Sequence, residues 1–159
     1  MGVSHVLADK LGLKNQQILQ PSVTQPEVCG AGMVGEFEKP MEEVEFLQLV
    51  ANAIGSPCLR HSALTGKNIQ KVALCGGSGS PFFEDALRLK ADAYLTADIK
   101  YHDFFLPEGN ILLIDGGHFE TEQFTKELIS DLIQKKFPTF AAVIAETNTN
   151  SVHYFVSKK

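Results

Sequence analysis

The sequence has few of the features that mark disulfide-rich, nucleic-acid-binding or membrane-spanning proteins. Its 159 residues include only three cysteines, none in C-x-x-C spacing, which disfavours a disulfide framework and a zinc ribbon. The net charge of −5 provides no basic stripe, which argues against nucleic acid or an anionic membrane as a partner. No signal sequence opens the chain, and no apolar run approaches the roughly 20 residues that cross a bilayer. We therefore expect a cytoplasmic protein whose cysteines are small buried apolar residues.

Apolar residues make up 44% of the chain, enough to bury one core. Apolar positions at helical spacing predict helices at 3–11 and 41–54, which end at Gly12 and Gly55. Between them we predict a polar linker at 14–27 and an edge or irregular strand at 33–37. The first helix has an apolar face and nothing before it to pack on, which suggests the back half of a larger protein.

Strands and helices alternate from residue 58 onward. The predicted strands are 58–64, 71–75, 93–96, 111–114, 140–145 and 152–156, and the predicted helices are 81–90, 99–105 and the stretch after Gly117 up to Lys136. This alternation favours parallel pairing with right-handed crossovers. We predict an α/β protein of three layers, α/β/α, with a mixed and mostly parallel sheet. Residues 1–27 would be a leading helix and linker, the remnant of a missing amino-terminal half, and residues 28–159 the α/β domain.

A histidine and a glutamate follow the apolar strand at 111–114 and its Asp-Gly-Gly turn. His118 and Glu122 are four residues apart, so a helix that begins there places both side chains on one face. The end of a strand in an open α/β sheet is a common ligand site, and imidazole and carboxylate are plausible ligands for a divalent cation. Alternatively, His118 lies next to a helix N-cap and Glu122 only complements the helix dipole. The spacing alone favours this second interpretation.

A glycine-rich segment follows the strand at 71–75. Gly76, Gly77 and Ser78 precede a helix start, where free backbone amides favour an anion such as a carboxylate, a phosphate or a nucleotide fragment. The segment lacks both the Walker lysine and the G-x-G-x-x-G pattern. A tight turn that needs glycine for its conformation explains the pattern equally well.

Five ionisable residues cluster after the strand at 93–96, namely Asp98, Lys100, Tyr101, His102 and Asp103. Such groups serve in acid–base catalysis or orient a substrate, although a solvated helix start has the same composition. The histidines at positions 5, 61 and 153 are expected to be ordinary core or surface residues. No G-x-S-x-G elbow is present, so serine hydrolase chemistry is not expected.

Three sequence blocks occur in one order with short spacings: CGGSGS at 75–80, ADAYLTADIKYHDFF at 91–105 and ILLIDGGHFETEQFTKELISDLI at 111–133. Together they resemble the carboxy-terminal half of the GTP cyclohydrolase I type 2 homologue family, the Nif-three-like dinuclear-metal proteins. The segments GVSHVLADKLGL, GAGMVGEF and KKFPTF are also similar to that family, so the resemblance covers almost the whole chain.

The resemblance implies a three-layer fold of two related halves, ring-like homo-oligomers and two divalent metal ions (zinc, iron or manganese) per complete site. In the family pattern, His118 and Glu122 correspond to metal ligands. The segments Gly76–Ser80 and Thr96–His102 correspond to the lining of the same cleft, where a small molecule or nucleotide would bind. The family label implies GTP ring opening by a water whose pKa the metal pair lowers. A homology label does not by itself establish a reaction.

The sequence departs from the family pattern at its start. Family members carry a paired-histidine motif and an aspartate before the GVSHVLADKLGL block, which here opens the chain, and no His-His pair occurs anywhere. Two ligands cannot hold two hydrated cations tightly, since one catalytic zinc normally takes three protein ligands. The expectation is therefore half of a dinuclear site, and catalysis by this chain alone is not expected.

Three hypotheses follow from these observations. The first is a half-site of a metal-dependent, hydrolase-like protein, with Asp98, Lys100, Tyr101 and His102 as supporting or substrate-binding groups. The second is a non-catalytic scaffold that oligomerises or binds a partner through an apolar face. The third is a small nucleotide-binding domain that uses the turn at Gly76–Ser80.

Overall fold

The computed structural model describes residues 2–25, 28–155 and 157, and its centre is a six-stranded sheet. The strands are β1 Lys14–Pro21, β2 Gly30–Met41, β3 Arg60–His61, β4 Ile69–Ser78, β5 Ala93–Ala97 and β6 Leu112–Asp115. The helices are α1 Val3–Leu11, α2 Glu43–Ile54, α3 Phe83–Arg88, α4 His118–Glu122 and α5 Thr125–Lys136. Short 3₁₀ turns at Ser80–Phe82 and Tyr101–Phe105 complete the described elements. None of the helices in the described ranges is both long and apolar enough to cross a membrane.

The sheet is mixed, with the strand order β1-β2-β4-β5-β6-β3. Its centre is parallel, and Leu74, Leu95 and Ile114 lie side by side in β4, β5 and β6. The other three pairs, β1–β2, β2–β4 and β3–β6, are antiparallel. The α/β class with a mixed sheet is confirmed, and the parallel part is limited to three strands. Parallel strands buried on both faces read as continuous apolar runs, which is why β5 and β6 stood out in the sequence.

Helices cover both faces of the sheet. On one face, α1 and α2 contribute Leu7 and Phe46, which belong to the same buried cluster as Leu74 of β4. On the other face, α3 contributes Ala86, which belongs to a second buried cluster with Tyr94 of β5. Alternate residues of each strand supply the two clusters because strand side chains point in turn to opposite faces. The three-layer α/β/α arrangement is therefore confirmed.

Both predicted glycine stops are confirmed. Gly12 follows α1 with φ of 77° and Gly55 follows α2 with φ of 65°, both in the left-handed region. Each glycine amide donates back to carbonyl groups of the last helical turn, which satisfies acceptors that would otherwise lack a partner.

The prediction of a linker at 14–27 is wrong for its first part, which forms β1. Strand β1 lies at the sheet edge and, within the described part of the chain, pairs only with β2. It therefore tolerates polar residues, and these made it look like a linker in the sequence. Strand β2 is correspondingly an inner strand, since Val34 pairs with Gln17 on one side and Ala73 on the other. The predicted domain boundary after residue 27 thus falls between two strands that pair with each other.

Four other predictions need correction, three of strands and one of cysteine burial. The strand expected at 58–64 is reduced to the two residues of β3, and the strands expected at 140–145 and 152–155 do not form; Val156 lies outside the described residues. Strand β3 pairs with β6 at Arg60–His61 and so occupies the edge that a further parallel strand would use. Of the three cysteines only Cys75 is buried, because Cys29 and Cys58 lie in exposed connections rather than in strands.

Candidate functional site

The three parallel strands end at one edge of the sheet, and the chemically active side chains gather there. Strand β4 ends at Ser78, β5 at Ala97 and β6 at Asp115, and α4 begins three residues after β6. Carboxyl ends of parallel strands in open sheets are the usual location of ligand sites. The sequence predicted this location from the turn residues that follow each strand.

His118 and Glu122 lie on one face of α4. The Nε2 atom of His118 is 3.2 Å from the Oε2 atom of Glu122, and their side chains are 51% and 41% exposed. The pair is therefore open to solvent and to a ligand, rather than sealed in apolar packing. Helix α4 has only five residues, so this pairing depends on its single turn being held in place.

Asp98 holds the other nitrogen of the His118 ring. Its Oδ2 atom is 2.6 Å from Nδ1 of His118, although the two residues are 20 positions apart. Asp98 directly follows β5 and has a φ of 56°, a left-handed conformation that aspartate adopts more readily than most residues. When Nδ1 donates to this carboxylate, the lone pair of Nε2 is directed at Glu122.

The electrostatics of the site favour a positive charge between His118 and Glu122. The hydrogen bond to Asp98 raises the pKa of His118; partial burial opposes this shift, and the negative charges of Asp98 and Glu122 add to it. A neutral Nε2 lone pair and a carboxylate oxygen at 3.2 Å repel each other unless a proton or a cation lies between them. The arrangement therefore suits a cation that competes with protons for Nε2 of His118 and the carboxylate oxygen of Glu122.

Gly77 forms the back of the site. A side-chain carbon at this position would lie 2.3 Å from Oε1 of Glu122 and 3.2 Å from Nε2 of His118, and the φ of Gly77 is 65°. Only glycine combines this backbone conformation with so close an approach. The sequence singled out this glycine as part of a turn, whereas β4 continues through Ser78 and the turn begins at Gly79.

The backbone amides of Gly76, Gly77 and Gly79 already have partners. Gly76 donates to Oγ of Ser4 at 3.2 Å, and Gly77 donates to Oγ1 of Thr121 at 3.0 Å. Gly79 donates to Oγ1 of Thr96 at 2.8 Å. These amides fix the segment against α1, α4 and β5, so they are not free to surround a phosphate. Ser78 is exposed at the strand end and pairs with Ala97 of β5.

Thr96 holds the glycine segment in place, a role that the sequence did not reveal. Its buried hydroxyl accepts from the Gly79 amide and donates to the Gly77 carbonyl at 2.9 Å. The hydroxyl of Tyr94 donates to the Gly79 carbonyl at 2.7 Å, and burial is the main cause of the raised pKa of Tyr94. The sequence signal for this role was a threonine inside an otherwise apolar strand. These bonds hold the glycine segment in the shape that brings Gly77 against Glu122.

Asp115 ties three elements together at the same edge. Its Oδ1 accepts from the Gly117 amide and its Oδ2 from the Ile99 amide, each at 3.1 Å. Arg60 of β3 donates to Oδ2 of Asp115 and, at 2.7 Å, to the carbonyl of Ile99. Asp115 is therefore a buried structural carboxylate that fixes the turn before α4, rather than a ligand in the cleft. Arg60 and Asp115 are 55 positions apart, so the sequence gave no signal of their contact.

The remaining predicted substrate residues follow Asp98 in the chain and are not bonded to the pair. Lys100, Tyr101 and His102 are exposed at the start of the 3₁₀ turn, and the Tyr101 ring lies 5.3 Å from that of His102, centroid to centroid. Among the described residues, no hydrogen bond or ion pair joins these three to His118 or Glu122.

A cleft of about 640 Å³ opens beside the pair, bounded by His118, Glu122 and the carboxy-terminal residues 146–152. Asn150 donates from Nδ2 to Oε1 of Glu120 at 3.0 Å, and Glu120 itself is only 5% exposed. Burial, followed by the charge of Glu120, raises the pKa of Tyr154. Glu120 thus anchors the carboxy-terminal segment along one side of the cleft.

A second histidine–carboxylate pair occurs on α1, where Nε2 of His5 is 3.6 Å from Oδ2 of Asp9. It has the same spacing as His118 and Glu122, so the expectation that His5 has no acidic neighbour at ligand spacing is wrong. Nowhere in the described ranges do three His, Cys, Asp or Glu residues form a group able to share one metal ion. Asp98, His118 and Glu122 do not form such a group because Asp98 occupies the far nitrogen of the ring.

A family model described as Duf34/NIF3 (NGG1p interacting factor 3) matches residues 1–151. The chain is 28% identical over 158 residues to a protein from Clostridium perfringens named "GTP cyclohydrolase 1 type 2 homolog", covering 98% of this chain. It is 32% identical over 162 residues to a protein of the same name from Streptococcus pneumoniae, covering 96% of this chain. In both cases the chain spans 59% of the relative's length.

Solved structures show the same fold. A hypothetical protein from Staphylococcus aureus superposes with a TM-score of 0.88 at 23% identity, covering 97% of this chain and 64% of that chain. A Bacillus cereus protein related to NIF3 superposes with a TM-score of 0.86 at 17% identity, covering 97% and 70%. At this identity the likeness establishes the architecture and leaves the chemistry to be argued from the residues.

Proposed function

The chain belongs to the Duf34/NIF3 family, and from that premise we propose that it binds a divalent metal ion through His118 and Glu122. The observation that carries the proposal is the 3.2 Å approach of Nε2 of His118 to Oε2 of Glu122, with Asp98 on the opposite ring nitrogen. Metal-binding histidines commonly donate their second N–H to a carboxylate, which fixes the ring and increases the basicity of the ligating nitrogen. Asp98 is placed for that role.

The donor set suits the metals that the family resemblance implies. Imidazole nitrogen and carboxylate oxygen together bind zinc, iron(II) and manganese(II). A cation between His118 and Glu122 would relieve the repulsion between their lone pairs, as the proton of an imidazolium does. Gly77 leaves open the space into which the Glu122 carboxylate projects.

Two ligands are fewer than a catalytic metal usually requires. The proposal therefore includes further ligands from water, from a second copy in a homo-oligomer, or from a protein portion corresponding to the rest of the relatives' length. In a complete site with two ions, the metals would supply Lewis acidity for a hydrolase-like reaction. The name that the relatives carry makes GTP the first substrate to examine. Exposed Ser78, Lys100, Tyr101 and His102 are proposed to face a small-molecule or nucleotide substrate in the cytoplasm.

Isothermal titration with zinc, manganese(II) and iron(II) tests the proposal. Wild-type protein is expected to bind at least one of these ions, and His118→Ala and Glu122→Gln are each expected to abolish the measured heat. His5→Ala is the matched control, because it removes a histidine with the same spacing to a carboxylate but no Asp on Nδ1. Absence of heat from the wild type, or equal binding by His118→Ala, would refute the proposal.

A second candidate function, a scaffold that binds a partner or a second copy, is favoured by one surface. Tyr101, Phe105 and Leu106 are 71%, 66% and 53% exposed on and just after the 3₁₀ turn. Adjacent exposed apolar side chains of this size are characteristic of interaction sites. Sedimentation velocity of wild type and Phe105→Ser tests binding of a second copy. That form of the function predicts that the variant shifts to a smaller species, and an unchanged distribution contradicts it.

A further inference from the structure

A small cavity lies on the α3 side of the sheet, next to the turn at Ser80–Phe82. Its volume is about 270 Å³, and it is lined mainly by six apolar residues: Pro81, Phe83, Tyr94, Ile99, Leu106 and Leu113. Three polar residues complete the lining, Ser80, Thr96 and Asp103. Drug-sized ligands occupy pockets of about 300–1,000 Å³, so this cavity suits a single ring system rather than a whole cofactor.

Most polar groups around the cavity are already hydrogen-bonded. The hydroxyls of Tyr94 and Thr96 are both engaged with the glycine segment. The Oγ atom of Ser80 differs, because it is buried and has no hydrogen-bond partner among the described residues. A buried hydroxyl without a partner destabilises the protein, and a ligand with a matching group would recover that loss. The half-buried Asp103 offers a carboxylate at the same cavity.

We propose that this cavity binds a flat heteroaromatic ring that carries N–H donors. The rings of Phe83 and Tyr94 pack as a tilted pair with centroids 6.3 Å apart and form part of the apolar wall. A planar ring gains dispersion and burial against such a wall. The carboxylate of Asp103 accepts an N–H of the ligand, and the hydroxyl of Ser80 bonds to a second ring heteroatom.

The cavity and the His118–Glu122 pair lie on opposite sides of one backbone segment. Gly77 lies against the pair, and Ser80, three residues later, faces the cavity. Thr96 braces the segment between them through Gly77 and Gly79. None of the lining residues is His118 or Glu122, so the cavity can be tested without any metal.

Ligand-detected NMR with 2-aminobenzimidazole as the probe tests the proposal. This bicyclic ring presents several N–H donors, and its dissociation constant is expected to be on the order of 1 mM, as its size allows. Quinoline, of similar shape but without an N–H donor, is expected to bind about tenfold more weakly.

Variants locate the probe in the cavity. Asp103→Asn is expected to weaken binding about tenfold and Ser80→Ala about threefold. Ser80→Ala removes a hydroxyl without a partner, so the thermal stability of the ligand-free protein is expected to stay the same or rise. Glu84→Gln changes an exposed carboxylate of α3 and is expected to leave binding unchanged. The proposal is overturned if the probe does not bind wild type, if quinoline binds equally well, or if both variants retain full affinity.

Discussion

At the scale of single residues, the site depends on groups that fix His118 rather than on His118 alone. Asp98 determines which ring nitrogen faces Glu122 and raises the pKa of the imidazole. Gly77 provides the space for the Glu122 carboxylate. Changes at Asp98 and Gly77 therefore test the site without removing either proposed ligand.

Asp98→Asn is expected to lower the pKa of His118 toward its ordinary value of 6.5. Asparagine tolerates the left-handed backbone and still accepts from Nδ1, so only the negative charge is lost. Metal binding requires the neutral ring; hence wild-type affinity should fall as pH drops through the raised pKa of His118, and the variant's pH midpoint should be lower. At a pH above the His118 pKa of both proteins, we expect Asp98→Asn to bind the metal about 10- to 100-fold more weakly than wild type. NMR titration of the imidazole and calorimetry across pH measure both effects, with Asp9→Asn as the control. A His118 pKa that is unchanged in Asp98→Asn would contradict this account.

Gly77→Ala is expected to lose about 1–2 kcal/mol of stability because of its positive φ, and to lose metal binding because the new methyl group displaces Glu122. Gly55→Ala is a matched control, since Gly55 also has a φ of 65° but open space around it. Urea unfolding should give similar losses for both variants, whereas calorimetry should separate them. Equal metal affinity in the two variants would show that Gly77 does not shape the site.

At the scale of elements, one buried carboxylate joins α2 to the connection before β4. Glu43 is 5% exposed and accepts from the Thr65 amide at 2.7 Å, the Thr65 hydroxyl at 3.0 Å and the Gly66 amide at 2.9 Å. This clamp fixes the turn without touching the candidate site.

Glycine stops and apolar spacing predicted α1 and α2 well, because both signals are local. The clamp joins residues 22 positions apart and could not be read from spacing.

Glu43→Ala is expected to cost about 3 kcal/mol, because two backbone amides lose their partner in a buried setting. Glu45→Ala, an exposed change in the same first turn, is expected to cost less than about 0.5 kcal/mol. Urea unfolding of both variants measures the difference. A similar, small loss for the two would mean that the clamp does not stabilise the fold.

At the scale of the whole molecule, the sequence was informative wherever the determining signal was local. The parallel strands β4 to β6 and the gathering of polar residues at their ends followed from apolar runs and turn residues. Features that depend on strand order could not be predicted. These are the strand β1, the antiparallel edge position of β3, and the contact between Asp98 and His118 from neighbouring strand ends. The polar strand β1 could not be recognised from its sequence. Its strand conformation depends on backbone pairing with β2 rather than on a pattern of apolar side chains.

The central claim is that His118 and Glu122 share one divalent cation. Anomalous diffraction from crystals grown with zinc tests it most directly. The account predicts a zinc peak about 2.0–2.2 Å from both Nε2 of His118 and a carboxylate oxygen of Glu122, with Asp98 still bonded to Nδ1. No zinc peak at that position, or a peak only at His5 and Asp9, would contradict it.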